Sequence, residues 1–383
     1  MDFTNLLNSS GLANLEWQQA VLIAVGLAFV YLAVTRGREP YVLLPIGLGV
    51  VITNLPETGL TQFDVGEGGQ QESGIFGIIL HYGLSHWDLL PPLIFLGIGA
   101  MTDFGPVIAN PKTLLLGAAA QVGIFIAFWG ALATGLFNLG EAASIGIIGG
   151  ADGPTTIFLS SVLAPEILGI TAVVAYTYMA SVVFIQPPLM KLLTSETERT
   201  IVMKPLREVS RTEKMLFPII AMIIIILVVP QSAPLISMFM MGNLFRQSGV
   251  VPRLADAASN ELLNLATIFL MLTVGTQLTA ARVFDINTIV ILILGVVAFS
   301  CGTVGGLLFA KFMNLFLKEK INPLIGSAGV SAVPMAARIS HQIGQEADPS
   351  NFLLSHAMGP NVAGVIGSAV VAGVFISLVE GVV

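Results

Sequence analysis

Long apolar stretches recur along this chain and are separated by short polar segments. Most of them approach or exceed the roughly 20 residues that an α-helix needs to cross a bilayer. We place them near residues 17–35, 41–55, 88–103, 113–138, 142–163, 166–190, 214–229, 233–246, 258–279, 286–313, 322–341 and 351–380. The pattern predicts an all-α membrane protein that crosses the bilayer many times.

The composition agrees with this prediction. The chain is 55% hydrophobic and only 10% charged, with a mean hydropathy of +0.88, whereas about a quarter of the residues of a soluble domain are charged. Its single cysteine, Cys301, excludes a disulfide framework and a thiolate zinc cluster. The sequence has no Gly-Lys-Ser/Thr phosphate-binding loop, so we expect no nucleotide to power transport.

Two apolar stretches contain a related, glycine-rich string. GIIGGADGP (146–154) returns in altered form as GSAGVSAVP (326–334). Glycine and proline interrupt a helix and leave carbonyl groups bare, which a bilayer tolerates only where protein or a watery cavity covers them. A polar break in each of two related halves indicates the central ion site of a transporter.

The positions of the charged residues predict the topology. The segment 191–214 is rich in Lys and Arg and is therefore predicted to be cytoplasmic. The loop 56–86 has no Lys or Arg but contains Glu57, Asp64, Glu67 and Glu72, so we place it outside. Twelve crossings would put both segments on one side of the membrane. We therefore predict ten crossings, with 142–163 and 322–341 as re-entrant hairpins and both termini outside.

This topology predicts two inverted repeats, residues 1–190 and 214–383, joined by the cytoplasmic linker 191–213. Each repeat has about five transmembrane helices and one re-entrant helical hairpin. A shared spacing supports the repeat, because Pro45 and Asn54 correspond to Pro234 and Asn243. The alternative is chance similarity among helices rich in glycine, alanine and isoleucine. Opposed repeats of this kind are typical of secondary transporters.

Asp152 lies in the first hairpin, between Ala151 and Gly153. An acidic residue at membrane depth is a functional candidate because burying an unpaired charge is costly. With the hydroxyls of Thr155 and Thr156 it offers hard oxygen ligands for a sodium ion or a proton. The alternative is that Asp152 caps a helix at a hairpin tip that reaches water.

Four further polar residues are candidates. Ser331 and Asn322 offer neutral oxygens to a cation, although small polar residues also join helices. Arg338 could clamp a carboxylate in two-point fashion, and it would share a helix face with Ser331 if the helix continues past Pro334. Its alternative is an anchor that reaches the interface. Tyr178 could relay a proton or simply pack through a hydrogen bond.

Four strings are distinctive: GAMTDFGPVIANPKTLLLGAAAQ (99–121), GIIGGADGPTTIFLSS (146–161), INPLIGSAGVSAVPMAARIS (321–340) and LLSHAMGPNVAGVIGSAVVAGV (353–374). They closely resemble the membrane β subunit of the biotin-dependent sodium-pumping decarboxylases. The resemblance implies that the chain decarboxylates carboxybiotin and couples this reaction to sodium export with proton uptake. The loop 56–86 is shorter than in the oxaloacetate members, which weakens that assignment. An ordinary sodium/solute transporter of the same architecture is the alternative.

The resemblance also implies site residues. The functional aspartate and tyrosine of the family fall on Asp152 and Tyr178. We predict a sodium and proton site at Asp152, Ser331, Asn322, Gly149 and Gly326, catalytic roles for Arg338, Tyr178 and Asp152, and carboxybiotin contacts at Arg338 and Asn361.

The implied partners are a cytoplasmic carboxyltransferase subunit, a biotin carrier protein or domain that presents carboxybiotin, and a small single-span membrane subunit. No nucleic acid is expected as a partner. The resemblance further implies a homotrimer with elevator-type movement in a bacterial or archaeal cytoplasmic membrane.

Overall fold

The computed structural model describes residues 10–11, 13–37, 39–63 and 73–381, and within these ranges it contains helices and no strand. The prediction of an all-α protein is confirmed. Five of the described helices are long and apolar enough to cross a membrane, and up to seven cross if each of two sharply bent helix pairs is one span. The chain is therefore a polytopic membrane protein.

The α-helices are α1 (Trp17–Arg36), α2 (Pro40–Thr53), α3 (Ile75–Leu80), α4 (Leu90–Met101), α5 (Gly105–Ala109), α6 (Thr113–Ala120), α7 (Val122–Ala133), α8 (Leu139–Gly146), α9 (Gly153–Leu163), α10 (Leu168–Leu193), α11 (Glu196–Arg199), α12 (Arg211–Val228), α13 (Ala233–Ser248), α14 (Pro252–Ala257), α15 (Leu263–Thr276), α16 (Ala280–Val283), α17 (Ile286–Met313), α18 (Met335–Ala347) and α19 (Leu354–Glu380). Short 3-10 helices are Ile147–Gly150, Pro165–Ile167, Pro230–Ser232 and Pro323–Gly329, and π-helical turns are His81–His86 and Ala258–Leu262.

Local sequence signals set many of these boundaries. Ser210 accepts a hydrogen bond from the Glu213 backbone N–H, and the Glu213 side chain accepts one from the Ser210 N–H, so the start of α12 is capped in both directions. Asp285 caps α17 by accepting from the Asn287 N–H. Because these groups satisfy backbone donors that have no partner in the helix, the polar segments end where the apolar helices begin.

The structure corrects the description of residues 56–86 as a loop. This segment contains α3 and the π-helical turn His81–His86, and it meets α4 at a bend of 74°. Apolar residues such as Ile75 and Ile79 continue the hydrophobic pattern there, but their run is too short to stand out in the sequence. Asp64, Glu67 and Glu72, which placed this segment outside, lie beyond the described residues.

Both glycine-rich segments are broken as predicted. In the first, α8 passes into a 3-10 helix, Ala151 adopts a left-handed conformation with φ of 55°, and α9 begins at Gly153. In the second, a 3-10 helix ends at Gly329 and α18 begins only at Met335. The helix therefore does not continue through Pro334. The condition under which Ser331 and Arg338 would share a helix face is not met.

Two asparagines join the two halves of the chain. Asn54 Nδ2 donates to the Leu278 carbonyl, 2.8 Å away, just beyond the end of α15. Asn243 Nδ2 donates to the Thr102 carbonyl, 2.6 Å away, just beyond the end of α4. Both asparagines are buried. Each half therefore supplies an amide that satisfies a bare carbonyl at a helix end in the other half.

Candidate functional site

The two broken hairpins meet at their breaks. The backbone N–H of Ser331 donates to the Gly150 carbonyl across 2.8 Å. Asp152 and Ser331 are each only 5% exposed. Gly150 and Ser331, which are 181 positions apart in the chain, therefore lie together inside the protein.

Asp152 is held by hydroxyl and backbone donors. Its Oδ2 accepts from Thr155 Oγ1 at 2.8 Å and from Ser368 Oγ at 2.7 Å, and its Oδ1 accepts from the Thr155 N–H at 3.3 Å. Asp152 is thus the N-cap of α9, as one of the two alternatives required. The same alternative also required a hairpin tip that reaches water, and the burial of Asp152 argues against that part. None of the ion pairs among the described residues includes Asp152.

Ser368 connects the two hairpins, and the sequence analysis did not identify it. It lies in α19, is fully buried, donates to Asp152 and lies 3.4 Å from Ser331 Oγ. One signal was present in the sequence. Ser368 follows Asn361 by seven residues in an uninterrupted helix, so the two side chains share a face.

Asn361 binds the second hairpin. Its Nδ2 donates to the carbonyls of Ala328 and Val330 at 2.9 and 2.8 Å. These carbonyls are bare because the helix is broken there, so the amide supplies the cover that membrane depth requires. The Asn361 Oδ1 is buried, and no residue in the described part of the chain donates a hydrogen bond to it.

The structure places Asn322 at the other end of the second hairpin. Its Nδ2 donates to the carbonyls of Arg199 and Ile201 in the linker, at 2.7 and 3.0 Å. Its Oδ1 accepts from the Leu324 N–H at 3.0 Å. Asn322 therefore fastens the hairpin to the linker, and none of the hydrogen bonds among the described residues joins it to Asp152.

The two predicted glycines allow helices to approach closely. A Cβ on Gly326 would lie 2.1 Å from the Gly306 carbonyl oxygen in α17. A Cβ on Gly149 would lie 2.8 Å from the Gly123 carbonyl carbon in α7. Both distances are far shorter than a carbon contact allows, so any side chain would push a hairpin away from its supporting helix.

Two tyrosines of α10 have different surroundings. Tyr178 is buried, and its Oη donates to the Leu292 carbonyl at 2.5 Å. Tyr176 packs against Gly153, the residue that follows Asp152, where a Cβ would lie 2.1 Å from the Tyr176 Cζ. Tyr176 is therefore the tyrosine that contacts the first hairpin break, and the sequence analysis missed it because only Tyr178 matched the family pattern.

Arg338 lies on α18 with an exposed side chain. Its guanidinium makes no hydrogen bond or ion pair with any residue in the described ranges, and its backbone N–H donates to the Pro334 carbonyl. A cavity of about 390 Å³ contains Asp152 and Ser331 in its wall and extends to Asp103, whose carboxylate lies 3.2 Å from Lys214 Nζ. The wall is mainly apolar and includes Met101, Met179 and Met358, but Arg338 is outside it.

The oxygen atoms around Asp152 are suitable ligands for a small hard cation. Carboxylate, hydroxyl and carbonyl oxygens are the ligands that such cations prefer, and here they come from both hairpins and from α19. No group of three His, Cys, Asp or Glu side chains within the described ranges could hold a transition metal. The oxygen atoms that surround Asp152 are therefore of the type that coordinates a small hard cation.

The family model of the Na⁺-transporting oxaloacetate decarboxylase beta subunit matches residues 18–379. The chain is 56% identical to the methylmalonyl-CoA decarboxylase subunit beta of Propionigenium modestum, over 97% of each chain. It is 52% identical to the glutaconyl-CoA decarboxylase subunit beta of Acidaminococcus fermentans, over 99% of this chain and 98% of the relative. It is 49% identical to the probable oxaloacetate decarboxylase beta chain of Vibrio cholerae, over 98% of this chain and 99% of the relative. The chain therefore belongs to the family of β subunits of sodium-transporting decarboxylases.

Proposed function

We propose that Asp152, Ser331 and Ser368 bind the sodium ion that this membrane subunit of a decarboxylase complex transports. The observation that carries the proposal is the meeting of the two hairpin breaks at a buried carboxylate, with Ser368 between them. A carboxylate without a cationic partner is costly to bury. A bound sodium ion would supply the missing positive charge, and a proton would do so after sodium leaves.

Decarboxylation of carboxybiotin supplies the driving force in this proposal. The bond between the biotin nitrogen and the carboxyl carbon breaks, CO₂ leaves, and the nitrogen takes up a proton. Arg338 suits the role of carboxylate clamp because its guanidinium is exposed and uncommitted. We propose that the proton comes from outside, is relayed by Tyr178 and reaches Asp152. Its arrival at Asp152 then releases sodium.

The remaining predicted residues support the site from a distance in this proposal. Asn361 holds the broken second hairpin in place and offers its free Oδ1 to carboxybiotin. Asn322, Gly149 and Gly326 fix the hairpins against the linker and the neighbouring helices. Their substitution would then disturb sodium transport by moving the breaks apart, without removing a direct ligand.

The inverted-repeat topology belongs to the same proposal. The reciprocal bonds of Asn54 and Asn243 support it, because residues paired by the repeat have the same role in opposite halves. The ion pairs support it as well, since each of the described ones joins two residues that the topology places on the cytoplasmic side. One of them, between Lys204 and Glu319 at 2.5 Å, lowers the pKa of the glutamate through its hydrogen bond.

The partners of the chain are also proposed. The complex would contain a carboxyltransferase subunit, a biotin carrier and a small single-span subunit, with the β subunit as a homotrimer that moves its hairpins in an elevator-type cycle. For the substrate we favour an acyl-CoA over oxaloacetate. The alignment to the methylmalonyl-CoA relative spans 384 positions, close to the 383 residues of this chain. The alignment to the oxaloacetate relative spans 429 positions, so at many of them this chain has no residue.

The substitution Asp152→Asn tests the proposal. It removes the charge that sodium and the proton share, so sodium uptake and decarboxylation by inverted vesicles should be lost together. Asp88→Asn is a control because Asp88 also accepts a serine hydrogen bond, from Ser161 at 2.6 Å, nine positions along α9 from Asp152. Sodium uptake by the Asp152 variant at the level of the Asp88 variant would refute the assignment.

A second measurement separates the family function from ordinary sodium/solute transport. If carboxybiotin drives the pump, avidin added to the complex should stop sodium uptake, because it sequesters the biotin of the carrier. Uptake that continues in the presence of avidin would favour a solute-coupled transporter.

A further inference from the structure

Gln121 occupies the short break between α6 and α7, where the first part of the chain passes the hairpin breaks. Its side chain is only 4% exposed. Its Nε2 donates to the Gly117 carbonyl at 3.0 Å and lies 3.5 Å from the Gly364 carbonyl in α19. Because both neighbours of the nitrogen are acceptors, the amide cannot be reversed without placing oxygen against oxygen. The orientation of the Gln121 oxygen is therefore fixed.

This oxygen is buried and has no hydrogen-bond partner among the described residues. A Cβ placed on Gly150 would lie 3.6 Å from Gln121 Oε1 and 3.1 Å from Ser368 Cβ. The oxygen therefore faces the first hairpin break from the same side as the serine that binds Asp152. A buried acceptor without a donor is uncommon in proteins, and each case calls for an explanation.

We propose that Gln121 supplies a neutral oxygen ligand to the sodium ion that Asp152 binds, an inference that rests on the proposed function. A purely structural role for Gln121 accounts for its nitrogen, which joins α6 to α19. It leaves the oxygen unexplained, since an apolar side chain of the same shape would fill the space without an unsatisfied acceptor. A cation at the first hairpin break, close to Gly150 and Ser368, would give this oxygen a partner. The amide oxygen is neutral, so as a ligand it adds no further negative charge to the site.

Gln186 provides a matched control. It is also fully buried, and its Nε2 donates to the Ser327 carbonyl at 2.9 Å. Its Oε1 likewise has no hydrogen-bond partner within the described ranges. Its contacts are with Ser327 and Thr303 and not with the first hairpin break. Replacing either glutamine by methionine removes the same polar groups and keeps a similar side-chain length.

The experiment compares Gln121→Met with Gln186→Met in the purified complex. For Gln121→Met we expect at least a fivefold rise in the sodium concentration that gives half-maximal decarboxylation, with turnover restored at saturating sodium. The thermal stabilisation that NaCl gives over choline chloride should shrink in this variant, because stabilisation by a ligand depends on its affinity. Gln186→Met should lower the melting temperature equally in both salts and leave the sodium dependence unchanged.

An unchanged sodium dependence in Gln121→Met would overturn the proposal, and so would an equal change in both variants. If Gln121→Met does not fold, Gln121→Asn keeps the amide but shortens the side chain by one methylene group, which withdraws the oxygen from the first hairpin break. That variant should also lose part of the NaCl stabilisation, and an unchanged stabilisation would refute the role. Asp152→Asn distinguishes failure of the ligand role of Gln121 from failure of the sodium site itself. If it loses NaCl stabilisation and Gln121→Met does not, only the ligand role of Gln121 fails, whereas if it keeps the stabilisation, the sodium site itself fails.

Discussion

Ser368→Ala tests whether the serine between the hairpins is a ligand or only a helix contact. The substitution removes the hydroxyl that lies 2.7 Å from Asp152 Oδ2 and 3.4 Å from Ser331 Oγ. Alanine fits the same space, so the backbone of α19 has no reason to move. The substitution therefore removes one hydrogen-bond donor and the lone pairs of one oxygen atom, and nothing else.

The expected magnitude follows from the charge of the partner. A hydrogen bond to an ionised group contributes about 1.5–3 kcal/mol, whereas one between neutral groups contributes about 0.5–1.5 kcal/mol. A loss of about 1.4 kcal/mol changes a dissociation constant tenfold. We therefore expect the sodium concentration for half-maximal decarboxylation to rise by about tenfold, the lower end of the range for a charged partner.

The assay measures decarboxylation and sodium uptake in inverted vesicles over a wide range of sodium concentrations. Ser160→Ala is the control, because Ser160 is equally buried and shares a 3.0 Å hydrogen bond with Thr171, a neutral pair distant from Asp152. It should lower the thermal stability slightly and leave the sodium dependence unaltered. If Ser368→Ala keeps its half-maximal concentration within twofold of the unsubstituted protein, Ser368 is not a ligand.

The remaining predictions concern Arg338 and the topology. Arg338→Lys keeps the charge but loses two-point hydrogen bonding, so turnover should fall by about tenfold or more while NaCl stabilisation without carboxybiotin persists. Full turnover would make Arg338 an interfacial anchor. In a Cys301→Ser background, single cysteines at Thr200 and Leu136 should be labelled from the cytoplasmic and the external side respectively. Labelling of both from one side would mean that 142–163 spans the membrane and that the inverted repeat is wrong.

The sequence predicted much of the fold because its signals are local. Apolar run lengths placed most helices within a few residues, and glycine with proline marked both hairpin breaks. It could also predict the hydroxyl of Thr155 at Asp152, since the capping of a helix start involves residues three positions apart.

The missed features depend on contacts between distant parts of the chain. Ser368 reaches Asp152 across 216 positions, and its spacing of seven residues from Asn361 indicates a shared helix face but not this distant partner. Tyr176 differs from Tyr178 only in the face of α10 it occupies, which depends on how that helix packs. The separation of Asn322 from Asp152 could not be foreseen either, because it depends on where the linker carbonyls lie.

The reciprocal bonds of Asn54 and Asn243 have a consequence for the assembly of the protein in the cell. The Thr102 carbonyl has its amide partner only after residue 243 has been synthesised. Until Leu278 has been synthesised, the Asn54 amide has only the Val50 carbonyl of its own helix as a partner. A polar group without a partner is costly in lipid. When synthesis of the first half is complete, the membrane therefore contains a product whose helix-end polar groups still lack hydrogen-bond partners from the second half. Neither half should persist alone in the membrane, and a chain truncated in the linker should be degraded unless the other half is supplied as a separate polypeptide.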